Sequence, residues 1–239
     1  MACATQTSHQ IKLHAPYLPQ ANKHGIGVSA AAHLRVTIKP YAAMDEGDLI
    51  ELFWGGRYVA SKLLTTADIG ETLALRVPES FLQSGKVKIW YQIQKIGSTP
   101  SLSASIDVWV KLDCPGGHPN PLSPEENQSL APLAVPDTLL RHGLTAKQRR
   151  QGVELTIEAY QNMAAKDEIT LRWGDVRMDL PAIDASDVGK PITLNIPPAL
   201  ILEGGEDHQL EVTYCIIDRV GNTSRWAPPR ALNVSGVAD

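Results

Sequence analysis

Apolar and polar residues alternate with a period of two along much of the chain. Leu34, Val36 and Ile38 alternate with Arg35, Thr37 and Lys39, and Val153, Leu155 and Ile157 alternate with Glu154, Thr156 and Glu158. The same rhythm runs through Ile50, Leu52 and Trp54 and through Ile169, Leu171 and Trp173. It returns in Val87, Ile89, Tyr91 and Ile93 and in Leu210, Val212, Tyr214 and Ile216. A period of two puts one set of side chains in a core and the other in water, so these runs predict half-buried strands. Glu46-Gly47, Gly55-Gly56, Gly204-Gly205 and Gly221-Asn222 punctuate them as turns. Short strands at this spacing predict an all-β chain of sandwiches with Greek-key links. Only Thr145–Gln151 has a helix-friendly composition, and it is short.

The pattern occurs twice. At a constant offset of 119 residues, 13 of the 48 positions 34–81 are identical. Tyr41, Met44 and Asp48 match Tyr160, Met163 and Asp167, and Ile50, Leu52, Trp54 and Gly55 match Ile169, Leu171, Trp173 and Gly174. The register then slips by a few residues, and Tyr91 and Ile93 match Tyr214 and Ile216. The slips fall where loops are expected, and loops tolerate length change where strands do not. The expected organisation is a first β-sandwich over 11–112, a linker rich in proline and glycine over 113–128, and a second β-sandwich over 129–239. The first ten residues read as a mobile tail.

Composition narrows the class. The chain has 239 residues, 43% of them hydrophobic and 20% charged, which is enough apolar material for packed cores. A formal net charge of −4 argues against a nucleic-acid partner, which calls for a basic stripe. No apolar run reaches the length of a membrane span. The start lacks the basic and apolar pattern of a classical signal peptide, which leaves a cytoplasmic location, a leaderless export route or a piece of something longer. Three cysteines, Cys3, Cys114 and Cys215, are too few and too odd in number for a disulfide scaffold. Acidic residues concentrate late: residues 152–239 hold seven Lys/Arg against fourteen Asp/Glu.

The second copy ends in Tyr214-Cys215-Ile216-Ile217-Asp218-Arg219-Val220-Gly221-Asn222-Thr223-Ser224. This ending resembles that of the immunoglobulin-like repeats that occur in tandem in large bacterial surface and adhesion proteins, pseudomonad ones among them. Residues 130–235 carry the resemblance well and residues 15–112 more loosely, because Lys95-Ile96-Gly97-Ser98 stands where the acidic turn belongs. Trp54 and Trp173, each just before a glycine, resemble the core tryptophan of immunoglobulin-type sandwiches, with no cysteine pair beside them. The resemblance implies a scaffold or binding role and no catalytic activity. In some relatives an aspartate of the acidic turn helps to hold calcium between domains, which makes Asp218 and Asn222 the metal candidates. The bland reading of the same residues is an Asx-type turn in which Asp218 caps backbone N–H groups.

The sharper candidate lies in the first copy. If Val87, Ile89, Tyr91 and Ile93 face the core, Lys88, Trp90 and Gln92 face outward. The last strand likewise turns Asp107, Trp109 and Lys111 outward. A hairpin centred between Thr99 and Pro100 then sets Trp90 opposite Trp109, two indoles side by side on an outer sheet face. Phe53 and Tyr58 add to the same apolar surface. The matching positions in the second copy are Thr213 and Asn233, so the fold itself does not require the indoles. Exposed aromatics of this kind point to contact with a partner protein, a second copy, another part of the chain or a sugar ring. The expected function is therefore non-catalytic binding or scaffolding. A carbohydrate-binding protein using Trp90 and Trp109, or a receptor-binding virulence or insecticidal component, are the alternatives. Cys114 and His118 alone make a poor zinc site, which needs about four such ligands, and the chain carries no nucleophile elbow, P-loop or zinc-protease motif.

Overall fold

A computed structural model describes residues 12–118, 120–122 and 125–235. The chain divides into two compact units between Leu112 and Asp113. In the first, strands form at β1 (Arg35–Ile38), β2 (Leu49–Trp54), β3 (Arg57–Leu63), β4 (Leu73–Arg76), β5 (Gly85–Gln94), β6 (Ser101–Leu102) and β7 (Ile106–Val110). The second repeats the series as β8 (Val153–Ile157), β9 (Glu168–Trp173), β10 (Val176–Asp179), β11 (Ile192–Ile196), β12 (Leu210–Ile217), β13 (Thr223–Trp226) and β14 (Arg230–Leu232).

The pairing is the same in both units. β1 pairs with β4 in one sheet, while β3, β2 and β5 pair in order in the other, with β6 and β7 both on the far edge of β5. In the second unit β8 pairs with β11, and β10, β9 and β12 pair in order with β13 and β14 beyond. Every named pair is antiparallel. This is the two-sheet immunoglobulin-like sandwich, present twice.

The predicted alternation is visible in burial. Along β2, Ile50, Leu52 and Trp54 are buried and their neighbours half-buried. In β9, Ile169, Leu171 and Trp173 repeat this. Each unit encloses its own apolar cluster, one around Trp54, Tyr91 and Leu34 and one around Trp173, Tyr214 and Leu155. The indole N–H of Trp54 and that of Trp173 are both buried without a hydrogen-bond partner among the described residues. Shape complementarity, not a polar anchor, holds these two rings.

The segment preceding each first strand switches sheets in the same way. Tyr17 exchanges backbone hydrogen bonds with Thr37 (2.9 and 2.7 Å), and Ala134 does so with Thr156 (2.8 and 3.0 Å). The chain then crosses to the other sheet, where Ile26 N–H donates to Trp109 O (2.8 Å) and Leu144 N–H to Asn233 O (3.0 Å). Gly25 and Gly143 make that approach with positive φ, and a Cβ on Gly143 would lie 2.6 Å from the Asn233 carbonyl oxygen.

Four short helices go beyond the predicted picture: α1 (Val28–Ala31), α2 (Asp137–His142), α3 (Ala146–Gln151) and α4 (Pro198–Glu203). None is long enough to show a helical period in sequence. The helix α3 forms on the stretch whose composition favours helix but whose length counts against one, and it starts at a reciprocal cap: Gln148 N–H donates to Thr145 Oγ1 (3.2 Å) and Thr145 N–H to Gln148 Oε1 (2.9 Å). No helix among the described residues is long and apolar enough to cross a membrane. The described part of residues 113–128 is tied to the second unit. Gly116 N–H donates to Gln161 O (2.8 Å), Asn162 Nδ2 to Cys114 O (2.9 Å) and Asn127 N–H to Trp226 O (2.7 Å).

Candidate functional site

The aromatic residues of the first unit meet on the outer face of its larger sheet, in a different arrangement from the one expected. β7 pairs with the start of β5, so Trp109 lies opposite Lys86 and Val108 opposite Val87. Trp90 sits four residues farther along β5, and the two indoles do not form a pair. The turn explains the shift. Gly97 takes φ +74° and Ser98 N–H donates to Lys95 O (3.1 Å), so the chain reverses at Lys95–Ser98 and not at Thr99-Pro100. Gln94 Nε2 fastens the turn by donating to Lys95 O and Ser98 O. After it, Ser103 interrupts the edge strand: its hydroxyl accepts from Tyr91 N–H (3.0 Å), and β6 and β7 pair with β5 in different registers.

Trp90 instead stacks on Phe53, directly across from it on β2. Their ring centroids lie 4.0 Å apart and the planes differ by 6°. Tyr58 stands edge-on to Phe53 at 6.3 Å and 75°. A bulge in β3 brings it there, since Leu52 pairs with Ala60 while Phe53 pairs with Tyr58. Phe53 and Trp90 are half-buried, and Tyr58 is 49% exposed with its hydroxyl donating to Ser61 Oγ (2.9 Å). One residue pair along the same face, Gln92 Nε2 donates to Glu51 Oε2 at 2.6 Å. Trp109 is also 49% exposed, on the edge strand whose backbone meets Ile26.

The second unit holds other chemistry at the same register. Arg172 and Arg177 take the places of Phe53 and Tyr58, and pair across β9 and β10. Both guanidinium groups lie over the Trp226 ring, with their carbons 5.3 and 5.6 Å from its centroid. Arg172 Nη2 also meets Glu211 Oε2 at 3.0 Å. The arginines and Trp226 were not among the candidates read from sequence, yet the 119-residue offset already sets Arg172 on Phe53 and Arg177 on Tyr58.

Asp218 and Asn222 are brought together, in a turn closed on itself. Val220 and Asn222 N–H donate to Asp218 Oδ1 (3.0 and 2.9 Å), and Asn222 Nδ2 donates to Asp218 Oδ2 (3.0 Å). Both residues are buried. These donors are N–H groups, whereas calcium takes six to eight oxygens. No group of three or more His, Cys, Asp or Glu fit to hold a metal occurs among the described residues. Lys95 stands in the first unit where Asp218 stands in the second, and it has a distinct task. Its ammonium reaches Asp48 at 2.7 Å and Ala43 O at 2.6 Å, while Tyr41 Oη donates to Asp48 at 2.8 Å. Cys215 is half-buried on the outer face, and burial pushes its thiol pKa up, away from a reactive thiolate.

Neither protein-family models nor curated protein sequences match the chain. Among solved structures it is similar to a 1.5-MDa bacterial ice-binding adhesin studied for host cell surface retention, at 12% identity over 92% of this chain and 64% of that one, with a TM-score of 0.40. It is similar to a tetra-tandem repeat from the extending region of a large adhesion protein, at 14% identity over 94% and 50% with a TM-score of 0.32. It is similar also to fibronectin(III)-like modules of Clostridium thermocellum CbhA, at 7% identity over 90% of each chain with a TM-score of 0.38. The chain thus spans less than two thirds of the first two.

Proposed function

We propose that this chain is a non-catalytic binding module of adhesion or scaffold type. Its contact surface is the outer face of the β3-β2-β5 sheet in the first repeat, and its partner is a protein. The observation that carries this reading is the outward-facing stack of Phe53 on Trp90, with Tyr58 beside it. The fold has no need of these rings there, since the second repeat builds the same face from Arg172, Thr213 and Arg177. Large aromatics on a sheet face supply contact area at small entropic cost and are enriched where proteins meet. The sugar alternative rested on Trp90 beside Trp109. That platform is not formed, and Trp90 spends one ring face on Phe53.

The test compares the full chain with a Phe53→Ala/Trp90→Ala variant of unchanged circular dichroism, each immobilised as bait. Protein species retained by the original and lost by the variant are the expected result. Identical retention by both would remove this face from the function.

A further inference from the structure

We propose that the open side of the second sandwich, between β10 and β11, is a strand-docking cleft, which takes an extended segment of a partner protein carrying a lysine among apolar residues. The site lies in the second repeat and is independent of the aromatic face of the first. Thr156 exchanges both its backbone hydrogen bonds with Ala134, so it turns away from β11, and its partner Thr193 turns away from β8. Thr193 and, two residues on, Asn195 therefore present N–H and C=O groups along an edge that no other strand among the described residues covers. Beside this edge lies a cleft of about 650 Å³, lined by the half-buried Met178, Leu180 and Ile192. A free backbone ladder next to an apolar cleft is the geometry of strand addition, in which main-chain bonds hold the incoming segment and its alternate side chains enter the cleft.

The first repeat closes the same place with a charge of its own. The turns before β4 and β11 match bond by bond. Asp68 N–H donates to Thr65 O (2.9 Å) and Asp187 N–H to Asp184 O (3.0 Å), while Glu71 N–H donates to Asp68 O (3.2 Å) and Lys190 N–H to Asp187 O (3.0 Å). Asp187 is thus the counterpart of Asp68. Lys62 pairs with Ile50, and Leu180 N–H donates to the carbonyl of the matching Ile169 (2.8 Å), so Leu180 stands where Lys62 does. In the first repeat β3 runs on to Leu63 and lies against β4, and Lys62 Nζ reaches Asp68 Oδ1 at 2.9 Å. In the second, β10 ends at Asp179 without comparable contact with β11, and the lysine is a leucine. Asp179, Asp184 and Asp187 line the cleft and no Lys or Arg does. Lys166 and Lys190, in the flanking turns, form no ion pair among the described residues. An apolar cleft with an uncompensated acidic rim is complementary to a strand that pairs apolar side chains with a lysine.

The probe is a capped, fluorescently labelled hexapeptide of alternating threonine and valine with lysine in place of the last valine, so that both valines and the lysine share one face. Its counterpart carries glutamate in place of the lysine. In a polarisation titration with the full chain, the lysine peptide is expected to bind at least about tenfold tighter than the glutamate peptide. At saturation it should slow hydrogen exchange at the Thr193 and Asn195 amides and leave the first repeat unchanged. Thr193→Pro removes an outward N–H and no ladder bond, and Leu180→Lys restores the closure of the first repeat. Each should weaken binding about tenfold at unchanged circular dichroism, and if one fails to fold the other decides. Phe53→Ala/Trp90→Ala should bind the peptide as the original does. Equal affinity for the two peptides overturns the proposal, as does binding that survives the cleft substitutions or is lost with the aromatic pair. Sedimentation showing self-association that Thr193→Pro abolishes also overturns it, because the occupant would then be a second copy.

Discussion

Buried polar side chains show how far the two copies have diverged residue by residue. Asp48 and Asp167 occupy the same place, and each accepts from a tyrosine hydroxyl and from a backbone N–H three residues upstream. In the first copy Lys95 adds a cation to this carboxylate, and in the second the same strand end is spent on the Asp218 turn. Tyr91 and Tyr214 are equivalent as well, and burial pushes both hydroxyls up to about 12 from a usual value of 10.0. A raised tyrosine pKa means that the folded chain keeps a proton which the unfolded chain releases. The stabilisation is complete below pH 10 and is lost as pH rises toward 12, and it amounts to at most about 3 kcal/mol for each ring. Urea melts between pH 9 and 12 should show this decline in both repeats. At pH 7 the same melts should separate the two rings. Tyr214 Oη donates to Ala131 O at 2.8 Å, whereas the Tyr91 hydroxyl has no hydrogen-bond partner among the described residues. Tyr214→Phe is expected to cost about 1 kcal/mol and Tyr91→Phe close to nothing.

At the scale of elements, strand ends and crossings decide more than strand interiors. The registers of β2 with β5 and of β9 with β12 follow from burying alternate residues, since a slip by one would turn Trp54 or Trp173 to solvent. The β5–β7 register has no such constraint at its turn. It is set by Gly97 and by the Ser103 interruption, and this separates Trp90 from Trp109. The sheet-switching segment depends on a glycine in each copy. Gly143 holds φ +72° against the Asn233 carbonyl, so Gly143→Ala should destabilise the second repeat by more than about 1 kcal/mol in a denaturant titration. Gly189→Ala makes a useful control. Its φ of +80° is also unfavourable for alanine, but a Cβ there meets nothing within 4 Å and its cost should be the smaller.

For the whole molecule, two separate apolar clusters imply two cooperative units. Trp173→Ala removes the largest fully buried side chain of the second cluster and should cost that repeat about 3–5 kcal/mol. Calorimetry should then show one transition moving down by many degrees while the other stays in place. A single transition that shifts as a whole would mean that the units unfold together. Duplication also left the two outer faces free to differ, because nothing inside the sandwich depends on them. Phe53, Trp90 and Tyr58 mark one copy, and Arg172, Arg177 and Trp226 the other.

Alternation, punctuation and the 119-residue offset were enough to specify two β-sandwiches, their core faces and the buried Trp54 and Trp173. Burial on one face is a local, repeating demand, and it writes a period of two into the chain. For the same reason Trp90 was legible as an outward aromatic, with Phe53 and Tyr58 only as additions to the same surface. Their meeting was not, because it depends on which strands adjoin and on a bulge in β3 that no periodicity records. The separation of Trp109, the closure of Asp218 on its own turn and the reach of Lys95 to Asp48 likewise appear only when residues far apart in sequence become neighbours. Such contacts are set by backbone reversal and packing, and these are properties of the folded chain.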